Sequence, residues 1–157
     1  MKNPLNIRPM TENDAESVSG LMPALGYVAS AATIRERFFS IPVGVSDYLF
    51  VAEMANEIVG FCHVKGIRRV DSDGYGEILT LVVKVSHQRS GIGRALVQHA
   101  VAWIFAIGFS RARLGSGVHR AEAHLFYESL GFTKSRPSCA FELYNKVESA
   151  IAQSAIA

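Results

Sequence analysis

The sequence predicts an α/β (α+β) fold: a mixed central β-sheet flanked by helices on both faces. Two observations carry this expectation. The run EILTLVVKV is so dense in β-branched residues, without alternation, that it reads as a central strand covered on both sides. Strand-like and helix-like segments then follow in the order strand, two helices, three strands, helix, strand, helix, strand, which suits a mixed sheet between helical layers.

Each element has its own local reason. LNIRPM reads as a short first strand, and TENDAESVSGLM as a helix with Thr11 and Asp14 as capping candidates. Pro23 and Gly26 end it. Thr33 and Glu36 have capping-box spacing for a second helix through IRERFF, stopped by Pro42 and Gly44. YLFVAEM and EIVGFCHVKGI are strands separated only by Ala55 and Asn56, short enough for a hairpin. RRVDSDGYG is a turn-rich loop before the dense strand. A helix from about Gly91 to Ile107 is closed by Gly108, SRARLG is a short strand, and AEAHLFYESLGF is an amphipathic helix closed by Gly131. A last strand is expected near CAFELYN. We expect a single domain over residues 1–146 and a tail, 147–157, that is a frayed helix or disordered.

The chain has 157 residues, 49% of them hydrophobic and 19% charged, with a formal charge of +2. That length buries a core without staples, and so small a charge gives no reason to expect nucleic acid or a membrane surface as partner. Cys62 and Cys139 form neither a disulfide framework nor a metal spacing, so a cytoplasmic protein is expected. MKNPLNIRPM lacks the apolar core of a signal peptide, and the longest apolar run, residues 100–107, is far short of the roughly 20 residues that span a bilayer. DSDGYGE lacks a calcium loop's third acidic ligand before the glycine and its glutamate at position 12, and HRAEAH matches no zinc-helix pattern, so no metal is expected.

The segment SHQRSGIGRALVQHAVAWIF places two glycines and two arginines at the entrance to an apolar helix. Glycine inside a helix costs up to about 1 kcal/mol relative to alanine, so the backbone itself must be wanted there. Glycines admit a ligand close to main-chain N–H groups, and a helix N-terminus favours an anion. Arg89 and Arg94 flank the same turn, making it complementary to a phosphate or pyrophosphate; the plainer alternative is a turn that lets strand and helix pack closely. A Walker loop is excluded because no Gly-Lys-Ser/Thr occurs, and a dinucleotide fingerprint because Leu96 stands where its third glycine belongs.

Gln88, Gly91 and Gly93 instead match the Q/R-x-x-G-x-G/A signature of the GNAT superfamily of N-acetyltransferases. LTLVV before it looks like that family's acyl-CoA strand, and AHLFYESLGF resembles its late helix, so the resemblance covers about residues 76–132. It implies acetyl-CoA as co-substrate. The coenzyme would be held by Gln88, Arg89, Ser90, Gly91, Ile92, Gly93 and Arg94 at the pyrophosphate. Leu81, Val82 and Val83 would run along the pantetheine arm, with the N–H near Val83 on the thioester carbonyl. Arg120 stands where many relatives have an asparagine, and would meet a phosphate of the coenzyme or simply solvent.

The resemblance also implies direct transfer with no covalent enzyme intermediate. Tyr127, within FYESLGF, becomes the acid toward the leaving thiolate. Many relatives carry a glutamate four residues before the Val83 position, but here that residue is Leu79. Glu77 is two residues upstream, on the same face as Leu79 barring a bulge, and about 6–7 Å further along the strand. It is the candidate base, reaching the amine directly or through water. His63, His119 and His124 are rivals, each also readable as a surface or structural histidine. The helix after Gly93 is apolar nearly all round; burial explains this, and a homodimer contact through Trp103 is the alternative.

The expected activity is acetylation of a primary amine of a small molecule. A protein N-terminal or lysine acetyltransferase is one alternative. A non-catalytic acyl-CoA-binding or sensing module is the other.

Overall fold

A two-residue link decides the first pairing. Ala55 and Asn56 both have positive φ, 51° and 62°, which is the backbone handedness that joins twisted antiparallel strands without splaying them. They connect β2 (Asp47–Met54) to β3 (Glu57–Ile67). The computed structural model describes residues 3–145. It divides into two compact units, Met1–Arg120 and Ala121–Ala157.

In the first unit, β1 (Leu5–Pro9) pairs antiparallel with β2, β2 with β3, and β3 with β4 (Tyr75–Val83). β5 (Ala112–Leu114) joins β4 in parallel, completing a mixed sheet of order β1-β2-β3-β4-β5. Two irregularities interrupt the ladders. The β2–β3 register shifts between Ala52 and Glu53, where Val59 is the extra residue. The β3–β4 register shifts between His63 and Val64, where Leu79 is left without a partner. Each bulge reverses the alternation on one strand, so side chains beyond it change faces relative to the turn.

α1 (Ala15–Leu21) and α2 (Ala31–Ser40) lie against one face of the sheet. Val18, Leu21 and Ile34 form one apolar cluster with Leu49, Val51, Phe61 and Val82. Before α1, the Asp14 carboxylate accepts the Thr11 N–H at 2.8 Å and two guanidinium bonds from Arg8 at 2.8 and 2.9 Å. Gly26, at φ 83°, ends the single 3₁₀ turn Met22–Leu25 that follows α1. α2 starts three residues earlier than the Thr33–Glu36 spacing predicts. The Ser30 hydroxyl accepts the Thr33 N–H at 3.1 Å, so Thr33 is already helical.

α3 (Ile92–Ala106) covers the opposite face. Its buried residues include Leu96 and Ile104, and the sheet makes room for them with glycines. A Cβ at Gly60 would lie 2.8 Å from Leu96, and one at Gly76 would lie 2.3 Å from Ile104. Trp103, the candidate dimer contact, stacks on Tyr48 with ring centroids 5.5 Å apart.

The second unit holds α4 (Ala121–Ser129), closed by Gly131 at φ 93° and by the Phe132 N–H bonding to the Tyr127 carbonyl. The strand expected near CAFELYN does not form. Residues 139–145 have no ladder partner among the described residues, and Phe141, Leu143 and Tyr144 are exposed. Alternation supplies the pattern of a strand, but a strand forms only where a cross-strand partner answers it. The predicted tail, 147–157, and the domain boundary at 146 lie outside the described residues.

Candidate active site

The glycine turn is built as an exposed bank of main-chain donors. After β4 the chain makes a 3₁₀ turn, Val85–His87, then passes Arg89 at φ 60° and Gly91 at φ 88°. Left-handed residues in such a turn belong to the conformations that aim successive N–H groups at an anion. Gly91 is the N-cap of α3 and supplies no side-chain cap. The first helical bond runs from the Ala95 N–H to the Gly91 carbonyl at 3.1 Å. The N–H groups of Ile92, Gly93 and Arg94 therefore precede the helical ladder and have no acceptor within it. A Cβ at Gly91 would meet nothing, so its requirement is conformational. Gly93 differs: it sits in the first turn of α3 and is not among the positive-φ residues.

Gln88, Arg89, Ser90, Gly91 and Arg94 are all exposed, while Ile92 is buried and anchors the helix start. The Gln88 amide donates to the Val83 carbonyl at 3.2 Å, tying the turn to the strand end. The Ser90 hydroxyl donates to the His87 carbonyl. Two cationic side chains and three N–H groups without a helical acceptor in one turn suit a pyrophosphate.

Beside this turn, β4 is half open. Its pairing with β5 covers only Gly76, Glu77 and Ile78, whereas its pairing with β3 continues to Val83. From Leu79 to Val83 the edge toward β5 pairs with no strand among the described residues. An extended, amide-bearing arm can add there as a strand does, so Leu81, Val82 and Val83 fit the pantetheine of acetyl-CoA. These two features, an anion cradle and an open strand edge, match that coenzyme's charged and extended parts.

The bulge at Leu79 changes the reading of the acidic candidate. Alternation on β4 breaks at Leu79, which is exposed, so Glu77 does not simply share its face. Glu77 lies opposite Lys65, and Thr80 lies opposite His63. Glu77, Lys65, His63 and Thr80 therefore occupy the face that carries the α1–α2 cluster, just beyond its Val51–Phe61–Val82 row.

The same face contains a pair that sequence reasoning missed. Asp47, at the start of β2, is 2% exposed. His63 Nε2 lies 2.7 Å from its Oδ1, and the Ser46 hydroxyl donates to its Oδ2 at 2.6 Å. Burial pushes the Asp47 carboxyl up, but the bonds from Ser46 and His63 outweigh it and hold the group below its ordinary value. Asp47 and His63 are 16 residues apart, and only the bulged β2–β3 register makes them neighbours.

Tyr127 belongs to α4 in the second unit, where its ring packs edge-on against Phe132 at 6.0 Å. Arg120 and His119 are exposed at the end of the first unit, and His124 is half-buried on α4. Among the described residues no group of three His, Cys, Asp or Glu is placed to hold a metal, and no helix is long and apolar enough to cross a membrane.

This sheet, with its open β4 edge and donor-bearing helix start, has the architecture of an acetyltransferase. The pattern of the acetyltransferase (GNAT) family matches residues 23–132, and the chain belongs to that family. No curated protein matches it. Its fold is shared by a transcriptional regulator from Bacillus halodurans C-125, with TM-score 0.79 and 23% identity over 89% of this chain and 100% of that one. An aminoglycoside N-acetyltransferase crystallised with CoA has TM-score 0.80 and 16% identity over 91% and 97% of the two chains. An aminoglycoside acetyltransferase from an uncultured soil metagenomic sample, in complex with sisomicin, has TM-score 0.74 and 22% identity over 90% and 97%.

Proposed function

We propose that this protein is an acetyl-CoA-dependent N-acetyltransferase that acetylates a primary amine of a small molecule by direct transfer. The observation that carries the reading is the row of N–H groups at Ile92, Gly93 and Arg94, which have no acceptor in the helix, beside the half-paired edge of β4. When bound, acetyl-CoA supplies an activated acetyl thioester. The chain's own groups hold and orient it: the turn from Gln88 to Arg94 at the pyrophosphate, Leu81, Val82 and Val83 along the arm, and Arg120 toward a phosphate. Glu77 is the carboxylate that meets the cationic amine, directly or through water. Tyr127 gives its hydroxyl proton to the departing thiolate, a role proposed from its place in FYESLGF.

Relatives of the same fold that act on aminoglycosides support a small amine as acceptor. The first two helices and the loop over residues 68–75 would shape its pocket, since loops carry specificity on a shared scaffold. The test is thiol release from acetyl-CoA over a panel of amines, with CoA binding followed by calorimetry. Turnover of a small amine, lost in Tyr127→Phe, is the expected result. The second reading, a non-catalytic acyl-CoA sensor, is favoured by Leu79 standing where relatives carry glutamate. It predicts tight CoA binding with no turnover on any amine.

A further inference from the structure

We propose that His63, oriented by Asp47, takes the proton from the acceptor amine, while Glu77 holds that amine as a cation. This rests on the N-acetyltransferase reading above and adds a residue to it. Asp47 is costly to bury. A carboxylate buried to 2% exposure is retained only with firm partners, and its partners are the Ser46 hydroxyl and one ring nitrogen of His63. A carboxylate can only accept, so Nε2 of His63 must carry a hydrogen. In the neutral ring the lone pair then resides on Nδ1, which makes no hydrogen bond among the described residues. The His63 side chain keeps 15% exposure. An imidazole fixed in one tautomer by a buried acid, with no hydrogen bond on its other nitrogen among the described residues, is arranged as a base.

Its surroundings carry both signs of charge, with Glu77 the carboxylate left to meet an amine beside Lys65 and Arg113. Thr80 is the cross-strand neighbour of His63, and Glu77 lies one row along the same face, opposite Lys65. The charged groups on this face are thus Asp47 on β2, Lys65 on β3, Glu77 on β4 and Arg113, which pairs with Glu77 from β5. α1 and α2, which cover the adjoining part of the face, keep Glu16, Arg35, Glu36 and Arg37 exposed. In the step, an N–H bond of the ammonium breaks and its electron pair stays on the amine nitrogen. The proton forms a bond to Nδ1, the resulting imidazolium is stabilised by Asp47, and it later passes the proton to water.

Two measurements test this. Long-range ¹H–¹⁵N spectra of the labelled protein without ligand should show His63 protonated at Nε2, and Asp47→Asn should disturb that tautomer. Thiol release from acetyl-CoA, with spermidine and sisomicin as acceptor probes, should show kcat falling toward acid pH. His63→Gln should lower kcat about 100-fold or more and abolish that acid limb. Asp47→Asn should also lower kcat, whereas Glu77→Gln should slow turnover and keep the limb. An Nδ1-protonated ring, or a His63→Gln enzyme within about threefold of the parent with its limb intact, overturns the proposal and leaves the acetyltransferase reading standing. If His63→Gln fails to fold by circular dichroism, the tautomer and the Asp47→Asn profile decide. CoA binding without turnover of these probes or of any other amine in the panel defeats the parent reading, and this one with it.

Discussion

A buried carboxylate is a residue-scale statement about what surrounds it. Asp14, 7% exposed, is answered by a two-pronged Arg8 guanidinium and by the Thr11 N–H. The Arg8 bond is the largest influence and holds the Asp14 carboxyl below its ordinary value. Asp14→Asn should cost about 2–3 kcal/mol of unfolding free energy in urea titrations, because it leaves Arg8 without its strongest acceptor. Cysteine chemistry divides the same way. Burial pushes the Cys62 thiol up, while Cys139 is exposed. A thiol-alkylating reagent should label Cys139 in the native protein and reach Cys62 only after denaturation; native labelling of Cys62 would contradict its burial.

At the scale of elements, the start of α3 separates folding from binding. Arg94 stands at the third position of the helix. Arg94→Glu places a negative charge near a helix N-terminus, which should leave the melting temperature unchanged or raise it. The same charge should weaken CoA binding at least about tenfold by calorimetry, since it opposes the phosphates. Equal affinity in both proteins would remove the pyrophosphate assignment. The β2–β3 link offers an independent check. Ala55 at φ 51° carries a side chain in the left-handed region, so Ala55→Gly should stabilise the hairpin by about 0.5–1 kcal/mol. Gly76→Ala should do the reverse, by about 1–3 kcal/mol, because its Cβ would sit 2.3 Å from Ile104.

For the whole molecule, acid stability sums several depressed groups. Burial holds His99 below its ordinary value, and Asp14 and Asp47 are likewise lowered. For each, the unfolded chain binds protons at a pH where the folded chain does not, so stability falls as pH falls. His99 acts below about pH 6.5, and the two aspartates below about pH 4. The urea midpoint should therefore drop in two stages on acidification, and His99→Phe should flatten the first. A midpoint that rises from neutral to pH 5 would refute the burial of His99. Much of this molecule was legible in one dimension. The dense EILTLVVKV run, the Ala55–Asn56 hairpin and the glycine-capped helices follow from local pattern and turn chemistry, which depend on neighbours along the chain. The strand, turn and helix start around Gln88, Gly91 and Arg94 were legible because they lie in sequence order. The pairing of His63 with Asp47, and the row it forms with Lys65 and Glu77, were not. Extending the register of the Ala55–Asn56 turn would set Asp47 opposite Val64 and put His63 on the other face; the extra Val59 shifts it so that Asp47 faces Lys65 beside His63. The sequence alone determined most of the strands and helices, but not whether CAFELYN would find a partner. The tertiary structure alone decided which side chains meet, because one unpaired residue in a ladder costs little locally yet reverses every side chain beyond it.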